Sequence, residues 1–320
     1  MWIDTLFIDD QALITKVMAG SAADRAGIKQ GFVIKDVDRM SVSQIAEPYQ
    51  KRKLSVPLKR AVITQAILRR LNGPVATPVR ISYVDANDES HEATIVREAR
   101  RGNIVEVGGG FPPLYVDFES TRLAGAIGYI RFNFFISSMY REVRNAIKFM
   151  SDAPGIIIDL RGNLGGFGEA ESDIAGLLVN RETTLSICRR RNSTEKYEAH
   201  PKKDAYLGPV ILLVNVLSLS GAEDMAAALQ ESGRVVVVGE PSPGADLEGN
   251  VKKLPSGARL MYPMGECKTA KGTLIEGRGV IPDVEVKLNR ALLLRQGDLQ
   301  LEEAIKVIKA KVEKGKAQSN

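Results

Sequence analysis

The stretch GPVILLVNVLSLSGAEDMAAALQESGRVVVVGEPSPG, Gly208 to Gly244, decides the fold. "VILLVNV" is an uninterrupted apolar run of the kind buried on both faces of a sheet, "AEDMAAALQES" favours helix, and "GRVVVVGEP" is a second such apolar run. Strand, helix and strand in succession predict an α/β core whose sites lie in the loops at strand ends. Ser220 stands where the first strand gives way to the helix, with Gly221 directly after it. A hydroxyl on that turn is held rigidly near the positive end of the helix, and the Gly221 amide beside it can stabilise an oxyanion. The plainer alternative is that Ser220 caps the helix.

Upstream, "GAIGYIRFNFF" predicts a strand and "MYREVRNAIKFMSD" an amphipathic helix with Val143, Ile147 and Met150 on one face. "GIIIDLRGN" is another buried strand, and "GEAESDIAGLLVNR" another helix. Between them Gly162, Gly165 and Gly166 of "DLRGNLGG" form a second strand-to-helix turn, whose amides can point together at an anion. The tail "LQLEEAIKVIKAKVEKGKAQ" reads as a charged helix.

The N-terminal third has a different rhythm. From Ala12, short alternating strands are broken by Gly20, Gly27 and Gly31, and "SAADRAGI" between them is a short helix that Ser21 is placed to cap. Gln44 to Leu71 reads as one longer helical segment, and "TPVRISYVDANDESHEATIVRE" as two strands joined by the turn "DAND".

Composition narrows the function classes. With 320 residues, 44% hydrophobic and 26% charged, the chain has material for one large or two ordinary domains. The longest apolar stretches break within ten residues, so no integral membrane segment is expected. The net charge is +5, but basic residues are scattered among acids, and the cluster Arg189–Arg191 reads as a solvated loop or strand end, so no nucleic-acid partner is expected. Cys188 and Cys267 lack metal-ligand spacing, and sequence alone does not pair them. The first residues show no secretory signal. The expectation is a cytoplasmic protein or a chain that has lost an upstream export segment.

Two resemblances follow from these motifs. The strand, capped helix and glycine turn around "SAADRAGIKQG" resemble a PDZ domain, with Ala22 where the family has proline and Phe32 where it has aspartate. That resemblance implies strand addition of a peptide near Ile8, Leu13 and Ile14. "GIIIDLRGNLGG", the opening stretch and "GTLIEGRGVIPDVEV", in that order, resemble the carboxy-terminal processing peptidases, a family of tail-specific serine proteases. The implied organisation is a PDZ-like domain over 1–99, a linker over 100–124, a peptidase core of the crotonase/Clp-protease-like type over 125–290 and a C-terminal helix over 291–320. The overall class is α/β. The family's pattern makes Ser220, three residues before Glu223, the nucleophile, and Gly221 and Gly165 the oxyanion hole. It implies a peptide or unfolded-protein substrate, no metal or organic cofactor, and action outside the cytoplasm.

The resemblance breaks at the proton acceptor. Where the lysine-using branch has "GEPTxGKG" this chain has "GEPSPGAD", with Ala245 in the lysine's place. Lys252 and Lys253 follow on what reads as a strand with solvated ammonium groups. The tricorn-like branch uses a histidine and a glutamate near "GVxPD". Glu276 matches that glutamate's neighbourhood, or else pairs with an arginine such as Arg278. The histidine's expected place is empty, leaving His200 in a polar loop and His91 in the PDZ-like part. Three functions stay open: a serine peptidase with a base such as His200, a displaced lysine or a carboxylate, a peptide-binding pseudo-peptidase, and an esterase or other acyl-transfer enzyme.

Overall fold

The computed structural model describes residues 3–99, 102–108, 110–295 and 297–318. The chain divides into two compact units, Met1–Arg101 with Lys287–Leu299, and Gly102–Val286 with Gln300–Asn320.

In the first unit, β1 (Ile3–Ile8) and β2 (Gln11–Val17) form a hairpin whose turn residues Asp9 and Asp10 both have positive φ, as the right-handed twist of paired strands favours. Then come α1 (Ala22–Arg25), β3 (Val33–Val37), β4 (Met40–Ser41), α2 (Val42–Gln50), α3 (Val56–Leu71), β5 (Pro78–Val84) and β6 (Ser90–Val96). The strands make an antiparallel sheet of order β1-β2-β3-β5-β6, with β4 paired to β3. Its core includes Phe7, Ile14, Ile34, Ile63, Ile67 and Ile81. Ser21 caps α1, accepting the Asp24 N–H.

Two expectations change here. Gln44–Leu71 is two helices, because Ser55 caps a new one by accepting the Leu58 N–H and Pro57 sits in its first turn, where its missing donor costs nothing. Ile8 lies on the edge strand β1, and Leu13 and Ile14 lie on β2, inside the sheet rather than at its edge. They are buried, at 4%, 1% and 0% exposure, and β2 is paired on both sides. Beside them on β1, Phe7 is held by α3: its N–H donates to Thr64 Oγ1 (2.9 Å) and its C=O accepts from Arg60 Nε (3.0 Å).

The second unit contains β7 (Asn103–Val105) and β8 (Leu114–Val116), which pair with each other, then β9 (Phe118–Arg122), β10 (Gly128–Phe132), α4 (Ser137–Phe149), β11 (Ile156–Asp159) and α5 (Gly168–Gly176). The hairpin strands β12 (Thr183–Arg190) and β13 (Thr194–Ala199) follow, then β14 (Val210–Val214), α6 (Gly221–Glu231), β15 (Val236–Gly239), β16 (Leu247–Lys253), β17 (Arg259–Lys268) and β18 (Val284–Glu285). The chain ends with α7 (Arg290–Leu294), which counts with the first unit, and α8 (Leu299–Gln318). The central sheet has the order β18-β15-β14-β11-β10-β9, parallel except for the edge pair β9–β10. Alternation along β11 divides its side chains between two cores. Ile156 and Ile158 join α4, α5 and α6 on one face, while Ile157 joins Ala304 and Ile308 of α8 on the other. This is why the sequence reads as continuous apolar runs. A second sheet, β13-β12-β17-β16, carries the disulfide Cys188–Cys267 between directly paired strands. No helix of the described residues is long and apolar enough to cross a membrane.

Candidate active site

Ser220 lies between the end of β14 and the start of α6 with φ 52° and ψ −128°. L-residues rarely adopt that backbone, and it persists only where the surroundings over-determine it. Glu223, fully buried, provides the constraint. Its carboxylate accepts the N–H groups of Ser220 (3.1 Å), Gly244 (2.7 Å) and Ala245 (2.9 Å) and the Ser242 hydroxyl (2.6 Å). Burial pushes the Glu223 pKa up to about 7 while these hydrogen bonds pull it back. The Ser220 N–H also reaches the Ala245 C=O (3.1 Å), so Ala245 sits against the serine's backbone. Ser218 serves the loop alone: its hydroxyl donates to the Leu160 C=O and accepts the Asn215 N–H.

The "DLRGNLGG" turn is built on Asp159 and Asn163. Asp159, at the end of β11, accepts from Arg161 Nε (2.9 Å) and Nη2 (2.6 Å) and from the Tyr129 hydroxyl (2.7 Å). Burial disfavours its charge, but Arg161, Arg131 and Tyr129 prevail and hold its pKa well below the carboxylate range. Asn163 is fully buried, donates to the Phe132 C=O (3.0 Å), and its own C=O accepts the Leu219 N–H (2.9 Å), binding this turn to the serine's loop. Its Oδ1 accepts the Gly165 N–H (2.9 Å), which corrects the expectation for Gly165: that amide is spent inside the turn. Gly165 instead permits close approach, since a Cβ there would fall 2.7 Å from Ser220 Cβ and 3.0 Å from the Gly221 N. Gly166 lines the cavity beside Ser220, and its N lies 3.8 Å from where a Gly221 Cβ would stand. The Gly221 N–H, first in α6, has no acceptor within its helix.

A cavity of about 290 Å³ opens on Ser220 and Gly221 and is walled by α5, α6, β12, β13, β16 and the Cys188–Cys267 disulfide. Three of its carboxyl groups, Glu171, Asp224 and Asp246, are buried. Burial, reinforced by Asp224, raises the Glu171 pKa well above the usual range. Burial and then the neighbouring acids do the same to Asp246. Burial pushes Asp224 up to about 6, with its hydrogen bonds to Asp246 and Ser186 holding it back.

Among the described residues, neither lysine nor histidine lines this cavity. His200 is exposed and faces Glu182 (3.3 Å), and His91 faces Asp85 (2.9 Å) in the first unit. Lys252 and Lys253 are exposed on β16, away from the cavity wall. Glu276 does not line it either: its Oε2 accepts the Asp246 N–H (2.6 Å) and fixes that backbone.

The parallel sheet thus presents Ser220, in a strained backbone conformation, on a strand-to-helix turn at the mouth of the cavity. Residues 126–286 match the family described as Peptidase family S41, and the chain belongs to that family. The carboxyl-terminal-processing protease of Synechocystis is 27% identical over 305 residues, covering 93% of this chain and 65% of the relative. The carboxy-terminal processing protease CtpA of Bacillus subtilis is 27% identical over 282 residues, covering 88% of this chain and 54% of the relative. The chain thus spans between about half and two thirds of these relatives' length. The solved photosystem II D1 C-terminal processing protease shares the fold, with a TM-score of 0.56 at 22% identity over 87% of this chain and 69% of that one.

Proposed function

We propose that this chain carries a serine peptidase site in which Ser220 attacks the carbonyl carbon of a peptide bond. The observation that carries the reading is the backbone of Ser220 at φ 52° and ψ −128°, held by a buried carboxylate against the strain. The Gly221 and Gly166 amides supply the oxyanion donors, with Gly166 taking the role first expected of Gly165. Ser220 Oγ bonds to the carbonyl carbon, its proton passes to a cavity carboxylate and on to the leaving amine as the C–N bond breaks, and water repeats the steps to free the acyl group. Glu171 is the acceptor best supported, because its Oε2 lies 2.9 Å from the Cβ position of Gly221, on the serine's own turn. Because its pKa is raised, peptide cleavage rises with pH as Glu171 loses its proton.

The test is cleavage of an unstructured protein, followed by mass spectrometry, beside Ser220→Ala. Cleavage lost in the variant is the expected result; cleavage that survives Ser220→Ala rules out this nucleophile. One observation favours a second reading, a peptide-binding protein without acyl chemistry: Ala245 stands against Ser220 where the family's lysine belongs. The first unit then serves as a peptide-recognition module of PDZ type, with the edge strand β1 that carries Ile8 as the strand a peptide would extend.

A further inference from the structure

We propose that the Asp224–Asp246 pair, with Glu171 beside it, is the subsite that receives a lysine or arginine side chain of the bound peptide. The proposal rests on the reading of the cavity as a peptide site. All three side chains line the cavity and are more than nine-tenths buried, at 3% exposure for Glu171, 7% for Asp224 and 2% for Asp246. One oxygen of each, Glu171 Oε1, Asp224 Oδ1 and Asp246 Oδ2, receives no hydrogen bond from any donor outside these three acids. Carboxyl groups in that condition carry a desolvation cost that a matching cation relieves.

Among the described residues that line the cavity, none supplies that cation. Arg190, the basic side chain of the wall, is committed to Glu248, with Nε donating to Oε2 (2.7 Å) and Nη2 to Oε1, and Nη1 pairs with Glu195. A metal ion fits less well than an organic cation. Among the described residues, the trio whose ligand atoms converge closely enough for one ion is Asp85, Glu89 and His91, in the first unit. The acid pocket suits a broad group with several N–H donors, as lysine and arginine present. At about 290 Å³ the cavity is at the small end of ligand sites, the scale of a side chain and its flanking backbone.

The groups facing the pair are Glu171 on α5, Glu223 on α6, Ser186 and Arg190 on β12, Tyr197 on β13 and Glu248 on β16. Empty, the two carboxyls hydrogen-bond to each other, which needs a proton between them. A bound cation takes that proton's place, so affinity for the cationic side chain increases as pH rises.

Titration calorimetry tests this on Ser220→Ala, with two acetylated, amidated alanine-rich peptides that differ only in a central lysine or norleucine. At about pH 8 the lysine peptide is expected to bind at least about tenfold more tightly, an advantage that shrinks at about pH 5 and is lost in Ser220→Ala/Asp246→Asn. Asp224→Asn replaces the second substitution if Asp246→Asn does not fold. Equal affinities, tighter binding of norleucine, or no binding of either peptide by a folded protein overturns the proposal. Because binding is read without Ser220, a lysine preference beside an uncleaved substrate keeps the subsite and removes the peptidase reading. The converse result keeps the peptidase and removes the subsite.

Discussion

At the scale of single residues, the site depends on Glu223 as much as on Ser220. Glu223 collects three backbone N–H groups and a hydroxyl, so Glu223→Gln, which turns one acceptor into a donor, leaves at least one buried N–H unpaired. The expected cost is about 1–3 kcal/mol of stability, read by urea unfolding, together with loss of reaction at a Ser220 that is still present. An unchanged midpoint would show that the clamp is dispensable. Ala245→Lys makes the opposite test. It restores an amine beside the serine's backbone, and cleavage is expected to rise on the order of 10²-fold if the proton acceptor is what limits the site. Ser220 and the glycine turns were legible in the sequence because a small residue after a buried strand is a distinctive signal. Glu171 and Asp224 were not. Each falls in the first turn of a helix, where acids commonly complement the helix dipole, and only the fold brings them to Asp246.

At the scale of elements, the two strand-to-helix turns form one construction. Asn163 binds the β11–α5 turn to the β14–α6 turn, and Asp159 anchors the first of them through Arg161 and Tyr129. Asp159→Ala leaves the Arg161 guanidinium without its buried partner and is expected to destabilise by roughly 3–5 kcal/mol, measured by chemical denaturation. A change within a few tenths of a kcal/mol would contradict the anchoring role. The alternation of buried strands and helices gave away the order of the core because each parallel strand is covered on both faces. The break between α2 and α3 was also present in the sequence, as Ser55 followed by Pro57, but apolar spacing runs across it and masks the cap. The interior position of β2, with Leu13 and Ile14, was not legible. A strand's pattern tells which residues are apolar, but not whether both its edges are paired.

At the scale of the whole molecule, the Cys188–Cys267 disulfide closes a sequence separation of 79 residues that includes the serine's turn. Chain-entropy reasoning assigns it roughly 4 kcal/mol, so a Cys188→Ser/Cys267→Ser protein is expected to melt several degrees lower, and an unchanged melting temperature would contradict that contribution. Buried acids give the fold a characteristic pH dependence. Raised carboxyl pKa values, about 6 for Asp224 and about 7 for Glu223, mean the folded state holds protons that the unfolded chain releases near pH 4. Their contribution is full below that pH and is lost as pH rises through about 7, so the melting temperature is expected to be higher at about pH 5 than at about pH 8. A flat or opposite profile would show that these groups are ionised in the fold. Whether Ser220 is an activated nucleophile is read out by treating the folded protein with a fluorophosphonate and sequencing the adduct by tandem mass spectrometry. A single adduct on Ser220 is expected, absent from Ser220→Ala and from heat-unfolded protein. Labelling confined to other residues, or none on a folded chain, would contradict it.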